Sequence, residues 1–138
     1  MSALRGHRQL DHTADLVLSF WAPTEAELLV EAARSLVEVL TDEAAVAAEQ
    51  SRRVRIDALD PPDRLVRWLN EVLVLATVEG FLVADADLHL DEHGLDADVR
   101  GQAGALALVC TELKSVTYHD LELRRAEDRF VGRVVVDV

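Results

Sequence analysis

Two aspartates near opposite ends of the sequence lie where apolar strands are expected. Asp15 precedes the alternating residues 16–20, and Asp137 stands inside the run VVVDV, one position before Val138. An ionised carboxylate in a central strand has to be ion-paired, hydrogen-bonded or bound to a cation. If the first and last strands are neighbours, both side chains and the carboxylate of Val138 could meet and hold a divalent ion such as Ca²⁺ or Mg²⁺. The alternative, favoured by composition and spacing alone, is that Asp15 caps a turn and Asp137 lies in solvent.

The segment LDHTADL carries two further polar residues just before the first strand. His12 could bind a metal through its imidazole, but a local hydrogen bond is the more common role for such a histidine. We therefore expect Asp11 and His12 to hold the turn and to orient the loop that carries Asp15.

A second polar cluster occurs in ELKSVTYHDLEL, beside another predicted strand. His119 could act as an acid, a base or a ligand, although a lone histidine without a paired base is more often structural. Lys114, Tyr118 and His119 are therefore candidates for contacting a partner protein or for shaping the site.

The sequence contains none of the short motifs that mark common enzyme sites. It has no glycine-rich phosphate loop, Cys-x-x-Cys, His-Glu-x-x-His or nucleophile elbow. A hydrolase site built from Asp15, His119 and Asp137 is disfavoured, because no nucleophile accompanies them. The acidic alternation in residues 85–91 lacks the spacing and the central glycine of a calcium loop, so it predicts a solvated sheet face.

The composition is that of one globular domain spanning residues 1–138, with half of its residues hydrophobic and a formal net charge of −12. Such acidity disfavours direct, stable nucleic-acid binding and favours a cation or a basic protein as partner, although the arginines of residues 124–133 could form a local basic face. No segment resembles a signal peptide or a membrane span, so the cytoplasm is the expected location.

The single cysteine, Cys110, lies in ALALVC and is predicted to be buried.

Hydrophobic periodicity predicts an α+β fold: a single domain with a mixed β-sheet of about six strands and two main helices, arranged as a two-layer sandwich. Thr24 and TEAE predict the start of the first helix, and Asp60 followed by two prolines predicts the start of the second, which ends at Gly80. The strands are predicted over residues 16–20, 51–59, 81–91 with its hairpin return, 116–124 and 129–137.

Three segments together resemble the archease family: LDHTADLVLSFWAPTEAELLVEAARSLVEVLTD, ELKSVTYHDLEL and the terminal RVVVDV. The resemblance covers nearly the whole chain, and it implies an accessory protein of RtcB-type RNA ligases that is not itself an enzyme and that promotes guanylylation of the ligase and its multiple turnover. Such ligases join a 3′-phosphate or 2′,3′-cyclic phosphate RNA end to a 5′-hydroxyl end in tRNA splicing and RNA repair. It also implies that Asp15, Asp137 and Val138 bind a divalent metal ion, Ca²⁺ or Mg²⁺/Mn²⁺.

One segment departs from the family pattern. Where family members usually carry aspartate and histidine, residues 101–110 read GQAGALALVC, so a ligase contact there would have to differ. The alternative function is a chaperone-like or specificity-modulating binding protein for an RNA-modifying enzyme, for example a tRNA methyltransferase. In that case an acidic surface would mimic or compete with RNA, a bound metal would be incidental, and association would weaken steeply with salt.

Overall fold

The computed structural model describes residues 4–10 and 15–138, with the main chain alone for Leu10. Two α-helices are present, α1 over Glu25–Leu40 and α2 over Pro61–Thr77, together with a single 3-10 turn at Leu106–Leu108. The strands are β1 (Gly6–Leu10), β2 (Leu16–Ala22), β3 (Gln50–Asp57), β4 (Leu82–Asp91), β5 (Gly94–Gln102), β6 (Ser115–Val116), β7 (Glu122–Ala126) and β8 (Arg129–Asp137).

The strands form two sheets. Sheet A has the order β1-β2-β8, and both β6 and β7 pair with the free side of β8; sheet B has the order β3-β5-β4. The α+β class with two helices is confirmed. The strands nevertheless number eight in two sheets, and the pairings between described residues are all antiparallel. The strand predicted over 116–124 is divided into β6 and β7 because the chain turns at Asp120, which has a φ of 50°.

Helix α1 begins and packs as its sequence predicts. Thr24 is the N-cap, and its Oγ1 accepts a hydrogen bond of 3.1 Å from the Glu27 N–H. The apolar stripe of α1 is fully buried and contacts β2 of sheet A and β4 of sheet B. Gly132 of β8 makes room for this layer, since a side chain there would collide with the Phe20 ring. Helix α1 therefore joins the two sheets through one hydrophobic core.

Helix α2 begins at the two prolines, and the Asp60 side chain accepts a hydrogen bond from the Asp63 N–H. Trp68 is completely buried, and its Nε1 donates a hydrogen bond of 2.7 Å to the Leu29 carbonyl of α1. The helix ends at Thr77, shortly before Gly80, which adopts a φ of +67°. Among the described residues, no helix has the length and apolar composition of a membrane span.

The acidic alternation of β4 lies on the solvated face of sheet B, as predicted. Its carboxylates are paired with arginines: Arg100 contacts Asp85 and Asp87 at 2.8 Å each. At the hairpin end, Arg55 contacts Asp91 at 2.7 Å and holds the pKa of that carboxyl at about 2. This face is therefore partly neutralised by its own arginines and remains acidic, because its aspartates outnumber them.

The prediction that Cys110 is buried is wrong. Its side chain is exposed, because the segment after β5 is irregular rather than a strand. The Cys110 N–H donates a hydrogen bond of 2.8 Å to the Leu40 carbonyl at the end of α1, so the main chain crosses the helix end there. Leu106 in the same segment is 54% exposed.

Candidate metal and partner site

The pairing of β2 with β8 brings the two ends of the sequence together. The antiparallel register runs from Ala22 opposite Phe130 to Leu16 opposite Val136. Asp15 directly precedes Leu16 and Asp137 directly follows Val136, so the two aspartates flank the same end of the β2–β8 pair. Asp15 is half-buried and Asp137 is exposed. The condition stated for a metal site is thus met by β2, the strand over residues 16–20, which is a neighbour of the last strand, although β1 precedes it in the chain.

Strand β6 closes the other side of Asp137. Ser115 is its register partner, and the Lys114 N–H donates a hydrogen bond of 2.9 Å to the Asp137 carbonyl. Val138, the last residue of the sequence, follows with 49% of its surface exposed. The structure therefore brings Lys114 beside Asp137 and Val138, with the Lys114 side chain exposed to solvent.

Helix α2 fixes the position of β6. Asn70 donates a hydrogen bond from Nδ2 to the Val116 carbonyl and accepts one at Oδ1 from the Val116 N–H, each 2.9 Å. On the β8 side, the Thr117 N–H and Oγ1 both donate to the Val135 carbonyl, at 2.9 and 2.8 Å. The segment that carries Lys114 is thus held between α2 and β8.

Tyr118 contacts the start of α2. Its hydroxyl donates a hydrogen bond of 2.6 Å to Asp63 Oδ1. Asp63 is 7% exposed, and its Oδ2 also accepts hydrogen bonds from the Leu59 N–H and from Arg67 Nε, each 2.9 Å. The Tyr118 bond, followed by those from Leu59 and Arg67, lowers the pKa of Asp63 although burial opposes this. The same bond raises the pKa of Tyr118.

His119 lies at the exposed tip of this loop, with its Nε2 3.3 Å from a carboxylate oxygen of Asp120. Of the predicted site residues, Asp15, Lys114, Asp137 and Val138 thus belong to one end of sheet A, whereas Tyr118 and His119 follow in the loop after β6. Asp11 and His12 lie outside the described residues.

The donor chemistry at the Asp15–Asp137 end fits a hard divalent cation. Both side chains offer carboxylate oxygens, which Ca²⁺, Mg²⁺ and Mn²⁺ prefer over nitrogen or sulphur ligands. Within residues 4–10 and 15–138, no group of three or more His, Cys, Asp or Glu side chains is arranged to hold a metal ion. A site here would therefore need a further oxygen ligand, and the Val138 carboxylate is the nearest one in sequence.

The structure also contains a charged cluster that the sequence did not predict. His7 of β1 faces two carboxylates of α1: its Nδ1 is 3.0 Å from Glu31, and its Nε2 contacts Glu38. Glu31 is 6% exposed and also accepts hydrogen bonds from Arg5 and Arg34. The hydrogen bond with Glu31 raises the pKa of His7 and lowers that of Glu31. A histidine and two glutamates at separations of 24 and 31 positions give no local signal in the sequence.

The fold and the site define a class of small α+β proteins with two antiparallel sheets. In this class the end of the last strand, at Asp137, lies beside the start of β2. A profile of the archease protein family (MTH1598/TM1083) matches residues 7–138. The chain belongs to the archease family.

Individual relatives agree with this membership. The chain is 32% identical over 136 residues to protein archease of Methanopyrus kandleri, covering 94% of this chain and 97% of the relative. It is 30% identical to protein archease of Archaeoglobus fulgidus, with 96% and 98% covered. The solution structure of Methanobacterium thermoautotrophicum protein 1598 matches with a TM-score of 0.78 at 28% identity, covering 96% of this chain and 99% of that one. The resemblance seen in the sequence is confirmed.

Proposed function

We propose that this protein is a metal-binding activator of an RtcB-type RNA ligase, which promotes ligase guanylylation and multiple turnover in tRNA splicing and RNA repair. It acts as an accessory protein and not as an enzyme. Family membership supports this proposal, and so does one observation of the structure: β2, which directly follows Asp15, pairs with β8, which contains Asp137. Two acids 122 positions apart in sequence then lie at one end of the same sheet.

In the proposed site, Asp15, Asp137 and the Val138 carboxylate hold the divalent ion. When bound, the ion supplies positive charge that can neutralise phosphate oxygens during nucleotidyl transfer. Asp11 and His12 orient the loop before Asp15. Lys114 lies next to Asp137 through the bond from its N–H, so its exposed ammonium is placed to meet an acidic or phosphorylated group of the partner.

The surface around this end of the sheet is the proposed contact with the ligase. Tyr118 is 56% exposed although its hydroxyl is bonded to Asp63, so its ring remains available to a partner. His119 is exposed at the loop tip. Because Asn70 and the Asp63–Tyr118 pair fix this loop to α2, a partner would meet a largely preformed surface.

A single-turnover guanylylation assay tests the proposal. Asp15→Asn and Asp137→Asn replace a carboxylate by an amide of equal size, and each should abolish stimulation of the ligase. Asp128→Asn is the matched control, because Asp128 is an exposed acid at the opposite end of the β7–β8 hairpin and its loss changes the net charge equally. Calorimetric titration with Ca²⁺ or Mn²⁺ should detect binding to the unmodified protein and to Asp128→Asn only.

The alternative function predicts different results in the same assay. For a chaperone-like or specificity-modulating protein, for example one serving a tRNA methyltransferase, stimulation survives chelation and falls steeply with salt. Full stimulation by both aspartate variants would refute the metal-dependent mechanism. Appending one glycine after Val138 moves the terminal carboxylate away, and it should weaken metal binding if that carboxylate is a ligand.

A further inference from the structure

Sheet A has one face that neither helix covers. The His7 ring reaches Glu31 and Glu38 of α1, and the Phe20 ring lies over Gly132 near Leu28 of α1, so these residues define the inner face. Side chains alternate along each strand, so the residues between them point to the other side of the sheet. We call this side the outer face. It carries Arg8 of β1, Trp21 of β2, and Arg129, Arg133 and Asp137 of β8.

The arginines of this protein divide into two groups. Four of them, Arg8, Arg125, Arg129 and Arg133, lie within ion-pairing distance of no carboxylate that the structure describes. Every other arginine forms such a pair. Carboxylates are abundant in a chain with a net charge of −12. A shortage of possible partners therefore does not explain why these four arginines form no ion pair. All four unpaired arginines belong to sheet A.

Three of the four lie together on the outer face, around one tryptophan. The register places Arg8 opposite Ser19 and Ser19 opposite Arg133, so these two arginines are two strands apart, about 10 Å. Arg129 lies four residues from Arg133 along β8, about 13 Å. The Arg8 and Arg129 guanidinium groups each lie 5.9 Å from the Trp21 ring centre. We call Arg8, Trp21, Arg129 and Arg133 the arginine patch.

Two further observations indicate that the patch is built to take a ligand. Arg133 Nε is buried and has no hydrogen-bond partner, which is costly for a charged donor unless something binds there. Glu122 is the register partner of Arg133, yet it bonds to Arg124 at 2.5 Å instead. The carboxylate of its register partner is therefore engaged elsewhere, and Arg133 forms no ion pair with any carboxylate of the described residues.

We propose that the arginine patch is a docking surface for the phosphate backbone of single-stranded RNA. Arginine guanidinium groups bind phosphates, and an aromatic ring on a sheet face can stack on a base. The choice of RNA rests on the proposed function, since RNA ends are the polyanions that an RNA-ligase activator meets. The composition alone disfavours nucleic acid, but it averages over the acidic face of sheet B, which belongs to a different sheet from the patch.

A second copy of this chain is the competing occupant, because aspartates outnumber arginines on the acidic face of sheet B. Self-association of the unmodified protein that Arg8→Gln/Arg129→Gln abolishes, measured by sedimentation, would therefore overturn the choice of RNA. The patch also shares its face with the candidate metal site, because Asp137 and Arg133 point the same way from β8, about 13 Å apart along the strand. RNA bound at the patch would therefore extend towards the ligase contact.

Fluorescence anisotropy with a labelled single-stranded RNA, at low salt and without ligase, tests this proposal. Arg8→Gln/Arg129→Gln should weaken binding about tenfold and reduce the slope of log affinity against log salt by about 1.4, the value for two lost phosphate contacts. Arg53→Gln/Arg55→Gln is the matched control. It removes the same charge from the surface of sheet B and should change affinity less than about twofold. Circular dichroism confirms that each variant is folded.

Tryptophan emission gives a second readout. Trp68 is fully buried, whereas Trp21 lies in the patch, so RNA should change the emission of the unmodified protein but not of Trp21→Phe. Equal losses in both double variants, or no binding by the unmodified protein, would overturn the proposal. A polyglutamate peptide that competes as strongly as unlabelled RNA would overturn the choice of RNA and indicate an acidic protein as the ligand of the patch. The guanylylation assay contains no RNA, so the two proposals can fail separately.

Discussion

Asn70 and Val116 are joined by two hydrogen bonds across 46 sequence positions, from the Asn70 amide group to the N–H and the carbonyl of Val116. The Asn70 side chain of α2 thereby makes the hydrogen bonds that a neighbouring strand would otherwise make with β6. Because β6 also pairs with the end of β8, Asn70 indirectly positions Lys114 beside Asp137.

Asn70→Ala should lower the free energy of unfolding by about 1–3 kcal/mol, because both main-chain groups of Val116 lose their partner. Urea denaturation measures this change, and amide hydrogen exchange should become faster at Val116. Asn70→Asp keeps the acceptor for the Val116 N–H but sets a carboxylate oxygen against the Val116 carbonyl, so a loss at least as large as that of the alanine variant is expected. An alanine variant as stable as the unmodified protein would contradict this role.

Tyr118→Phe should raise the pKa of Asp63, because the tyrosine hydroxyl is the largest contribution that lowers it. A carboxyl with a lowered pKa stabilises the fold at pH values above its unfolded pKa, and this stabilisation disappears as the pH falls through the folded value. The variant should therefore lose about 1 kcal/mol near neutral pH and less in acid. NMR titration of the Asp63 carboxyl and urea denaturation at both pH values provide the measurements. An unchanged Asp63 titration would show that the bond does not persist in solution.

Cys110 should react with a thiol reagent in the native protein, because its side chain is exposed. One thiol per chain is expected to be labelled by Ellman's reagent without denaturant, at a rate close to that in urea. A buried cysteine reacts only when the protein opens. Protection of Cys110 in the native state would restore the sequence-based prediction.

The helices could be predicted from the sequence because their signals are local, whereas the meeting of the two chain ends stayed conditional, since it depends on which strands pair. Thr24 and Asp60 are caps that precede apolar stripes, and the continuous apolar run before Asp137 indicates a central strand. The burial of Cys110 was predicted wrongly from a local signal as well. ALALVC is apolar, but after β5 the chain follows the end of α1 instead of forming a strand.

The contacts that fix the loop after β6 could not be predicted, since each joins distant positions. Asp63 follows Asp60 and two prolines, so its sequence context indicates only a helix start, whereas its partner Tyr118 is 55 positions away. Asn70 likewise bonds to Val116, which is 46 positions away. The four arginines without an ion pair could not be recognised from the sequence either. They stand out only in the structure, where every other arginine has a carboxylate partner.

His7 gives a pH-dependent prediction. Each of its ring nitrogens faces a carboxylate, so both must donate and the imidazole is charged. Its pKa is raised above 6.5, so its contribution to stability is complete below pH 6.5 and is lost as the pH rises through the raised value. The pKa of Glu31 is lowered below 4.5, so its contribution is complete above pH 4.5 and is lost as the pH falls through the lowered value. The cluster of His7 and its carboxylate partners should therefore stabilise the fold most between pH 4.5 and pH 6.5.

His7→Gln should therefore cost about 1 kcal/mol between pH 4.5 and 6.5, and the difference from the unmodified protein should shrink in alkali. Urea denaturation over a pH series measures the difference. His89→Gln is the control for replacing an exposed histidine, and it should give a smaller difference than His7→Gln between pH 4.5 and 6.5. A His7→Gln difference that stays constant across the series would mean that the charged cluster does not form. Since His7 and its partners join β1 to α1, the same series also reports how firmly the strand before Asp15 is held.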